Sequence, residues 1–487
     1  MANYRRPGVY VEEITTFPPA VAAVETALPA FVGYTELRRD ASGRELDANQ
    51  VQRIGSLLEF EERYGRGAPP QIDSVVLDEN GGFIAADLSQ SWYLYDAVRL
   101  FYLNGGGDCF IVSVGATGFG AAPSETQILA GIDALLTWDE PTLLLAPDAM
   151  ALDTDPTDPA TPDPIHTIAQ RMLQQSADLG DRFAIISLPD TDPLGAKMRD
   201  HTGTTGLKYG AVYTPWLSAA LPKPLFAYDL SGTVFSRRGA GGNDLADVLT
   251  DTDPATIDAV DATDDLATRT EAENLLRRES GIYRNILRGI DATPVPLPPG
   301  GAVAGLYAMV DRTRGVWKAP ANVSVAGIIG PTVTYSRSEL ANLNVDVNAG
   351  KSINVIRNFT GKGTLVYGAR TLAGNDGEYR YVNVRRLMNM LEESVKKATE
   401  QFVFEPNDAN TWVRVRGMIE NFLTLLWQDG ALQGAKAEHA FRVAVGLGQT
   451  MTPQDVLDGR MIVEIAVAPV RPAEFIVLRF MQHLPNS

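Results

Sequence analysis

The sequence predicts a multidomain protein that combines the α/β and α+β fold classes. Its 487 residues exceed what one ordinary hydrophobic core organises, so roughly two to four domains are expected. From Ala30 to Leu217, near-continuous apolar segments alternate with helical stretches, which is typical of a mostly parallel sheet covered by helices. The last third instead combines two amphipathic helices with short strands, so a different kind of domain is expected there.

The α/β region is assigned element by element from its apolar pattern. Strands are expected at short apolar runs, namely Ala30–Tyr34, Phe110–Val114, Thr142–Ala146, Phe183–Ser187 and Ala211–Tyr213. Helices are expected between them, over Ser91–Leu103, Gln127–Leu136 and Ile165–Ala177. The single cysteine, Cys109, precedes one of these strands and is expected to be a buried core thiol.

Two acidic segments interrupt this pattern. Asp153–Pro159 is rich in Asp, Thr and Pro, but it lacks the glycine and the closing glutamate of a calcium-binding loop, so an exposed loop is expected. Gly241–Thr268 contains eight aspartates and neither lysine nor arginine, and the helix-like segment Arg269–Arg288 follows it. Residues 218–300 are therefore expected to form an inserted, solvent-exposed acidic lobe.

The last third contains two predicted helices and several predicted strands. Apolar residues recur at helical spacing from Leu387 to Phe402 and from Trp412 to Leu426, and Asn407-Asp408 offers a cap for the second helix. Strands are expected from their β-branched and apolar composition, at Val323–Gly330, Thr332–Tyr335 and Met461–Val467.

Each end of the chain carries a predicted strand that prolines separate from the rest. The N-terminal strand is formed by Val9, Tyr10, Val11, Glu12 and Ile14. The C-terminal strand is formed by Phe475, Ile476, Val477, Leu478, Arg479 and Phe480. Two interpretations remain open: both strands fold back into a sheet of their own subunit, or they add to exposed sheet edges of neighbouring copies.

The sequence contains no pattern that predicts catalysis, a metal site or a cofactor. It lacks the spaced ligands of zinc sites, the GxSxG of serine hydrolases and a strand-linked GxGxxG. Gly361–Thr364 resembles the end of a phosphate-binding loop, but Ile356 stands where the first glycine is required, so a turn between strands is expected. No catalytic residue, metal ligand or cofactor is predicted, and a hydrolase on the central α/β region is kept as an alternative.

Charge and hydropathy exclude two classes of partner. The formal net charge of −18 disfavours direct binding of nucleic acid, because phosphates must be neutralised by Lys and Arg. No apolar run reaches the roughly 20 residues that cross a bilayer, so no membrane insertion is expected. Arg5-Arg6 is followed by Glu12-Glu13 instead of an apolar segment, so no signal peptide is predicted and folding in the cytoplasm is expected.

Three segments of the chain resemble the phage-type contractile tail sheath family. They are Tyr4–Glu13, Gly305–Asn322 and Arg380–Gly434. The middle segment is similar to the most distinctive motif of the family, here formed by Asp311, Arg312, Gly315, Val316, Trp317, Lys318, Ala319 and Pro320. The family includes the sheaths of contractile phage tails, pyocins and extracellular contractile injection systems, and the resemblance is weak across residues 150–300.

The resemblance implies a structural, non-enzymatic protein with six segments along the chain. These are an N-terminal arm strand exchanged with a neighbour (1–22), an outer α/β domain (23–217), a variable acidic surface insertion (218–300), a connection back to the core (301–325), an inner core sheath domain facing a tube (326–470) and a C-terminal arm strand (471–487). The mixed sheet of the core domain would be completed by strands from neighbouring subunits.

The resemblance also implies how such a subunit works and which partner proteins it binds. Subunits would stack as hexameric rings in a helical sleeve around an inner tube protein, and the sleeve would contract to drive the tube through a target envelope. Arg414, Arg416 and Glu420 are the candidate tube contacts, and baseplate and terminator or cap proteins are further implied partners. The particle would assemble in the cytoplasm and then be released as a phage tail-like particle or virion. A non-contractile surface-layer or baseplate protein is the remaining alternative.

Overall fold

The computed structural model describes residues 20–479 apart from 153, 156, 224, 231, 238–242, 254 and 258–265. The described chain divides into two compact units. The smaller unit contains residues 20–24 and Met390–Val470, and the larger unit contains Glu25–Asn389 and residues 471–479.

The strands are numbered in chain order. They are β1 Pro29–Gly33, β2 Val51–Ile54, β3 Gln71–Leu77, β4 Phe83–Ser89, β5 Cys109–Ser113, β6 Leu143–Leu145, β7 Phe183–Ser187, β8 Gly210–Thr214, β9 Leu217–Ala219, β10 Val234–Arg237, β11 Val295–Leu297, β12 Ile328–Pro331, β13 Ile353–Phe359, β14 Gly363–Tyr367, β15 Phe441–Ala444 and β16 Glu464–Val467.

The α-helices are numbered in the same way. They are α1 Leu57–Tyr64, α2 Leu94–Leu103, α3 Glu125–Asp133, α4 Pro164–Leu179, α5 Ala196–His201, α6 Leu245–Val248, α7 Leu266–Glu279, α8 Gly281–Ala292, α9 Gly300–Arg314, α10 Arg337–Asn344, α11 Val382–Thr399, α12 Ala409–Gln428, α13 Ala437–Ala440 and α14 Pro453–Leu457. The predicted helix over Arg269–Arg288 is two helices, because Ser280 ends the first and caps the second by accepting a hydrogen bond from the Tyr283 N–H.

An eight-stranded sheet in the order β14-β13-β8-β7-β6-β1-β5-β2 forms the centre of the larger unit. Its six inner strands are parallel, and the edge strands β14 and β2 run antiparallel to their neighbours. The mostly parallel sheet and the five strands predicted for it are confirmed. The sheet also takes in β13 and β14, so the boundary predicted at 325/326 does not coincide with the division between the units.

Both faces of this sheet are covered, as the apolar strands require. In β1, Phe31 faces the cluster that includes α2 and α9, whereas Ala30 and Val32 face the cluster that includes α3 and α4. Helices α2 and α9 pack closely because α9 carries glycines at the contact. A Cβ added at Gly301 would lie 2.2 Å from the Ala97 carbonyl oxygen, so no larger residue fits there.

A lobe with its own apolar cluster forms beside this sheet within the larger unit. The cluster joins β3 and β10 with helices α7 and α8, and includes Val75, Phe235 and Ile286. Its three-stranded sheet has the order β10-β3-β4. The predicted lobe of residues 218–300 is therefore incomplete, because the hairpin β3–β4 comes from a much earlier part of the chain.

The strands predicted at Val323–Gly330 and Thr332–Tyr335 are mostly wrong. Only Ile328–Pro331 forms a strand, β12, which pairs antiparallel with β9. Gly327 adopts a φ of +77°, which interrupts an extended segment, and Pro331 cannot donate to a sheet ladder. The predicted turn at Gly361–Thr364 is confirmed as the connection of the β13–β14 hairpin.

The smaller unit is built around α12 and a two-stranded antiparallel sheet of β15 and β16. Helix α12 begins where the sequence predicts, because the Asp408 carboxylate accepts hydrogen bonds from the N–H groups of Asn410 and Thr411. Its predicted apolar stripe is buried at Val415 and Ile419. The strand predicted at Met461–Val467 is shorter than expected and begins at Glu464.

Candidate assembly site

The C-terminal segment leaves four consecutive apolar side chains in solvent. Phe475, Ile476, Val477 and Leu478 are 69%, 79%, 76% and 72% exposed. Residues 475–479 belong to no strand, so the strand predicted there does not form within the described part of a single chain. Phe480 lies outside the described residues. Proteins rarely leave such a run uncovered, so it is a candidate for contact with another molecule.

The residue just before this run is firmly held on the larger unit. One oxygen of Glu474, Oε1, accepts hydrogen bonds from Asn344 Nδ2 at 2.8 Å and Arg370 Nε at 2.9 Å. The other, Oε2, accepts from Arg370 Nη2 at 2.7 Å and from the Tyr381 hydroxyl at 3.0 Å. We call Glu474 and the three residues that bind it, Asn344, Arg370 and Tyr381, the root clamp. Burial raises the pKa of Glu474, but hydrogen bonds from Arg370, Asn344 and Tyr381 outweigh it and hold that pKa below its ordinary value.

The sheet of the smaller unit has room for further strands. In register, Phe441 lies opposite Val467 and Ala444 opposite Glu464. Each of the two strands therefore has one edge that pairs with no other strand among the described residues. A two-stranded sheet is marginally stable by itself, so β15 and β16 form a natural acceptor for added strands.

The candidate tube-contact residues lie together on α12. Arg416 Nε is 3.8 Å from Glu420 Oε1, and Arg414 Nη1 is 3.6 Å from Glu405 Oε2. The three side chains predicted as contacts are about half exposed, and exposed ion pairs of this kind contribute little to stability. Their charges are thus accessible to a partner, and tube contact stays a prediction.

The family motif lies inside the larger unit. Both oxygens of Asp311 accept from the Arg386 guanidinium, at 3.0 and 2.6 Å, and the Thr26 hydroxyl donates to Oδ2 at 2.5 Å. The Arg386 guanidinium also lies over the ring of Tyr307. Asp311 therefore joins α9 to α11 by a buried, bidentate ion pair.

The rest of the motif ends α9 and turns the chain back into the unit. Gly315 has a φ of +86° and lies so close to Trp317 that a Cβ there would contact the indole ring at 2.4 Å. Val316, Ala319 and Pro320 are buried. Arg312 Nη1 donates to the Gly105 carbonyl and Lys318 Nζ to that of Ala319. The local role of these residues is therefore to fix the conformation of the backbone at the end of α9.

Asp148 fills the position where a sheet of this topology would bind a small ligand. Such ligands occupy the crevice at the carboxyl ends of strands where the strand order reverses, which here lies between β1 and β6. The buried Asp148 carboxylate accepts there from the N–H groups of Tyr34 at 2.7 Å, Tyr93 at 2.5 Å and Leu94 at 3.0 Å. Burial raises the pKa of Asp148 to about 6 against the effect of these bonds. The carboxylate thus fastens β1 and α2, which argues against the hydrolase alternative.

The one cysteine and the possible metal ligands of the described residues offer no reactive site either. Cys109 is fully buried, and burial raises the pKa of its thiol to about 12. Within the described ranges, no three His, Cys, Asp or Glu side chains are grouped so that they could hold a metal ion. No helix of the described chain is long and apolar enough to span a bilayer.

The predicted N-terminal strand, Val9 to Ile14, lies outside the described residues. The root clamp and β15 were both missed from the sequence. The only local sign of the clamp is one acidic residue, Glu474, directly before an apolar run. Strand β15 is a four-residue element that directly follows the short helix Ala437–Ala440, so no proline or glycine marks where it begins.

Comparison with known proteins shows which proteins the chain is similar to. Residues 375–482 match the model of the phage tail sheath C-terminal domain. The tail sheath protein of Vibrio phage KVP40 is 29% identical over 186 residues, which are 38% of this chain and 26% of that protein. The sheath of the extracellular contractile injection system PVC, solved in the contracted state, is 28% identical with a TM-score of 0.61 and covers 99% of both chains. The chain is therefore similar to the phage-type contractile tail sheath family.

A second solved sheath supports the same assignment. The helical sheath of the anti-feeding prophage in its contracted state is 28% identical, with a TM-score of 0.61 over 98% of this chain and 99% of that one. The aligned part spans about a quarter of the curated KVP40 protein. The resemblance inferred from the three sequence segments is thus confirmed, and these relatives are structural sheath proteins.

Proposed function

We propose that this protein is the structural sheath subunit of a contractile injection system. Subunits polymerise as stacked hexameric rings in a helical sleeve around an inner tube, and contraction of the sleeve drives the tube through a target envelope. The observation that carries the proposal is that one chain contains both an exposed apolar segment, Phe475–Leu478, and a two-stranded sheet with open edges.

Assembly proceeds by strand exchange between copies. The segment 475–480 of one subunit adds to the β15–β16 sheet of a neighbour, and the N-terminal strand Val9–Ile14 adds to that of another. Backbone hydrogen bonds supply affinity. Successive side chains of a strand lie on opposite faces, so the continuous apolar run packs on both faces. Donor and acceptor are different surfaces, so the contact is heterologous and repeats into rings and helical filaments.

Contraction needs no nucleotide in this scheme. The extended sleeve is held behind a kinetic barrier by its contacts with the tube and baseplate. When these contacts are released, the bodies of the subunits rotate into a wider and shorter lattice, while the exchanged strands stay paired and act as hinges. The net charge of −18 requires that the acidic lobe point into solvent, because like charges resist crowding.

The partners follow from the same scheme. The subunit binds other copies of itself, the inner tube through Arg414, Arg416 and Glu420 of α12, and baseplate and terminator or cap proteins at the ends of the sleeve. Assembly takes place in the cytoplasm of the producing cell, and the finished particle is released as a phage tail-like particle or virion.

Electron microscopy of purified protein tests the proposal. Full-length protein is expected to form hollow tubes at high concentration, and a variant that lacks residues 475–487 is expected to remain a folded protomer with an unchanged circular dichroism spectrum. A variant that lacks residues 1–19 should fail to polymerise in the same way. Full-length protein that stays monomeric at every concentration and salt would contradict the proposal.

A further inference from the structure

The C-terminal segment changes from hydrogen-bonded to exposed within one residue. Glu474 is held by the root clamp, and Phe475, the next residue, is 69% exposed. A second tether lies just upstream, where Arg471 Nη1 donates to the Gly377 carbonyl at 2.9 Å. Residues 471–474 therefore lie on the larger unit, and the apolar run begins at the point where these contacts end.

We propose that the root clamp positions the C-terminal arm for exchange, with Glu474 as the positioning residue and Arg370 as its rigid support. The proposal rests on the proposed function, because it assigns a role within strand exchange. Glu474 acts through the segment that follows it, and the apolar residues 475–478 make the contact with the neighbouring copy.

Arg370 is suited to this role because its guanidinium is fixed from several sides. Its Nη1 donates to the Gly374 carbonyl at 3.2 Å, while Nε and Nη2 form a fork on the two Glu474 oxygens. The Arg370 backbone N–H also donates to the buried Asn354 side chain at 2.8 Å. A fork of this kind sets the orientation of a carboxylate as well as its distance, which a single point charge such as lysine does not.

A fixed root matters because strand exchange orders a segment that is free beforehand. An arm held at Glu474 samples less space than an arm that is held only at Arg471, so less freedom is lost on pairing. The fixed start also raises the effective concentration of the arm at acceptor edges within its reach. Release of the clamp is therefore expected to weaken assembly without changing the paired strands.

The test compares Glu474→Gln with Glu378→Gln in the full-length protein. Both substitutions remove one negative charge, but Glu378 is exposed. Light scattering gives the protomer concentration at which tubes form, and microscopy confirms the tubes. Glu474→Gln is expected to raise this concentration about three- to tenfold. Tyr381→Phe, which removes one of four hydrogen bonds to the carboxylate, is expected to have a smaller effect, and Glu378→Gln none.

A second measurement reports on the arm itself in unassembled protomers. A nitroxide on Ile476→Cys is read by electron paramagnetic resonance, and labelling is selective because Cys109 is buried. Glu474→Gln should increase the mobility of the nitroxide, whereas a merely stabilising residue would leave it unchanged. Arg370→Lys, which retains the charge but loses the fork, should give an intermediate mobility.

The outcomes separate this inference from the proposed function. Wild-type protein that never forms tubes would refute the proposed function, while the nitroxide would still show whether the clamp restrains the arm. Tubes that form at the same concentration in wild type and Glu474→Gln would overturn the positioning role. A higher concentration with unchanged nitroxide mobility would also overturn it, because the loss would then arise elsewhere.

Discussion

The strand Phe183–Ser187 and the segment Phe475–Leu478 are similar in sequence but differ completely in environment. Both are short runs of apolar residues with β-branched members. The first is β7, which pairs with β6 on one edge and β8 on the other and is buried on both faces. The second pairs with no strand of the described chain and is at least 69% exposed at every position.

The difference separates a region whose strands are paired and buried within one chain from a region that is exposed among the described residues. The inner strands β1, β5, β6, β7 and β8 of the central sheet pair on both edges and are buried at every position, so they provide a rigid body. The C-terminal segment has the composition of a strand, but no strand among the described residues pairs with it and its side chains are exposed. Under the proposed function, a neighbouring copy supplies the partner strand for this region.

Shortening a buried side chain of the central sheet should have the largest effect on stability. Phe183→Ala removes a fully buried ring from the core, which is expected to lower the free energy of unfolding by about 3–5 kcal/mol. Urea denaturation of the unassembled protomer measures the loss. Val347→Ala, at a side chain that is 86% exposed, is the control and should change the free energy by less than about 0.5 kcal/mol. Similar losses in both variants would contradict the contrast between interior and surface.

Asp148→Asn should have the next largest effect. The amide keeps one acceptor oxygen but turns N–H donors toward the backbone N–H groups of Tyr34 or of Tyr93 and Leu94. Leaving such buried donors unsatisfied costs about 1–3 kcal/mol. Asp78→Asn is the control, because Asp78 accepts from two backbone N–H groups in a partly exposed turn. An equal loss of stability in both variants would show that burial of Asp148 does not increase the cost of its substitution.

Stability should also fall in acid because of His166. Burial lowers its pKa to about 4, with Asp163 opposing this shift and His201 and Lys197 adding to it. The unfolded chain therefore binds a proton at this residue as pH falls below about 6.5, while the folded chain does not until about 4. Across this window the folded state should lose on the order of 2 kcal/mol.

The control for this prediction is His166→Asn. The Asp163 N–H donates to the imidazole Nδ1, and an asparagine oxygen can replace that acceptor without titrating. The raised pKa of Asp148 acts in the opposite direction over part of the same range, so the difference between wild type and variant is the quantity to compare. Parallel pH profiles for the two proteins would contradict the assignment to His166.

The central sheet was predictable because burial on both faces requires a continuous apolar run, which can be recognised in the sequence. Strand β7 is apolar from Phe183 to Ile186, and its bounds coincide with the predicted ones. Helix α12 was predictable for a similar reason, since its buried stripe and its Asp408 cap are both local patterns. These features depend on neighbours along the chain more than on distant contacts.

The root clamp and the membership of β13 in the central sheet depend on distant contacts. Arg370 and Glu474 are 104 residues apart, and β13 pairs Ile353 with Val212 of β8. Neither pairing leaves a periodic signal in the sequence. The predicted C-terminal strand is a different case: its composition favours extended backbone, but a strand exists only when another strand supplies hydrogen bonds. Within one described chain, no such strand is present beside residues 475–479.

Val477→Asp should have the smallest effect on the protomer and yet abolish assembly. Val477 is 76% exposed, so the substitution should change the free energy of unfolding of the protomer by less than about 0.5 kcal/mol. In the exchanged sheet, the same carboxylate would be buried without a partner, which costs several kcal/mol at every subunit contact. Val347→Asp adds the same charge at another exposed valine and should leave tubes intact. If Val477→Asp protein still forms tubes, the arm does not pair through this residue, and if it unfolds the protomer, the segment already packs within its own chain.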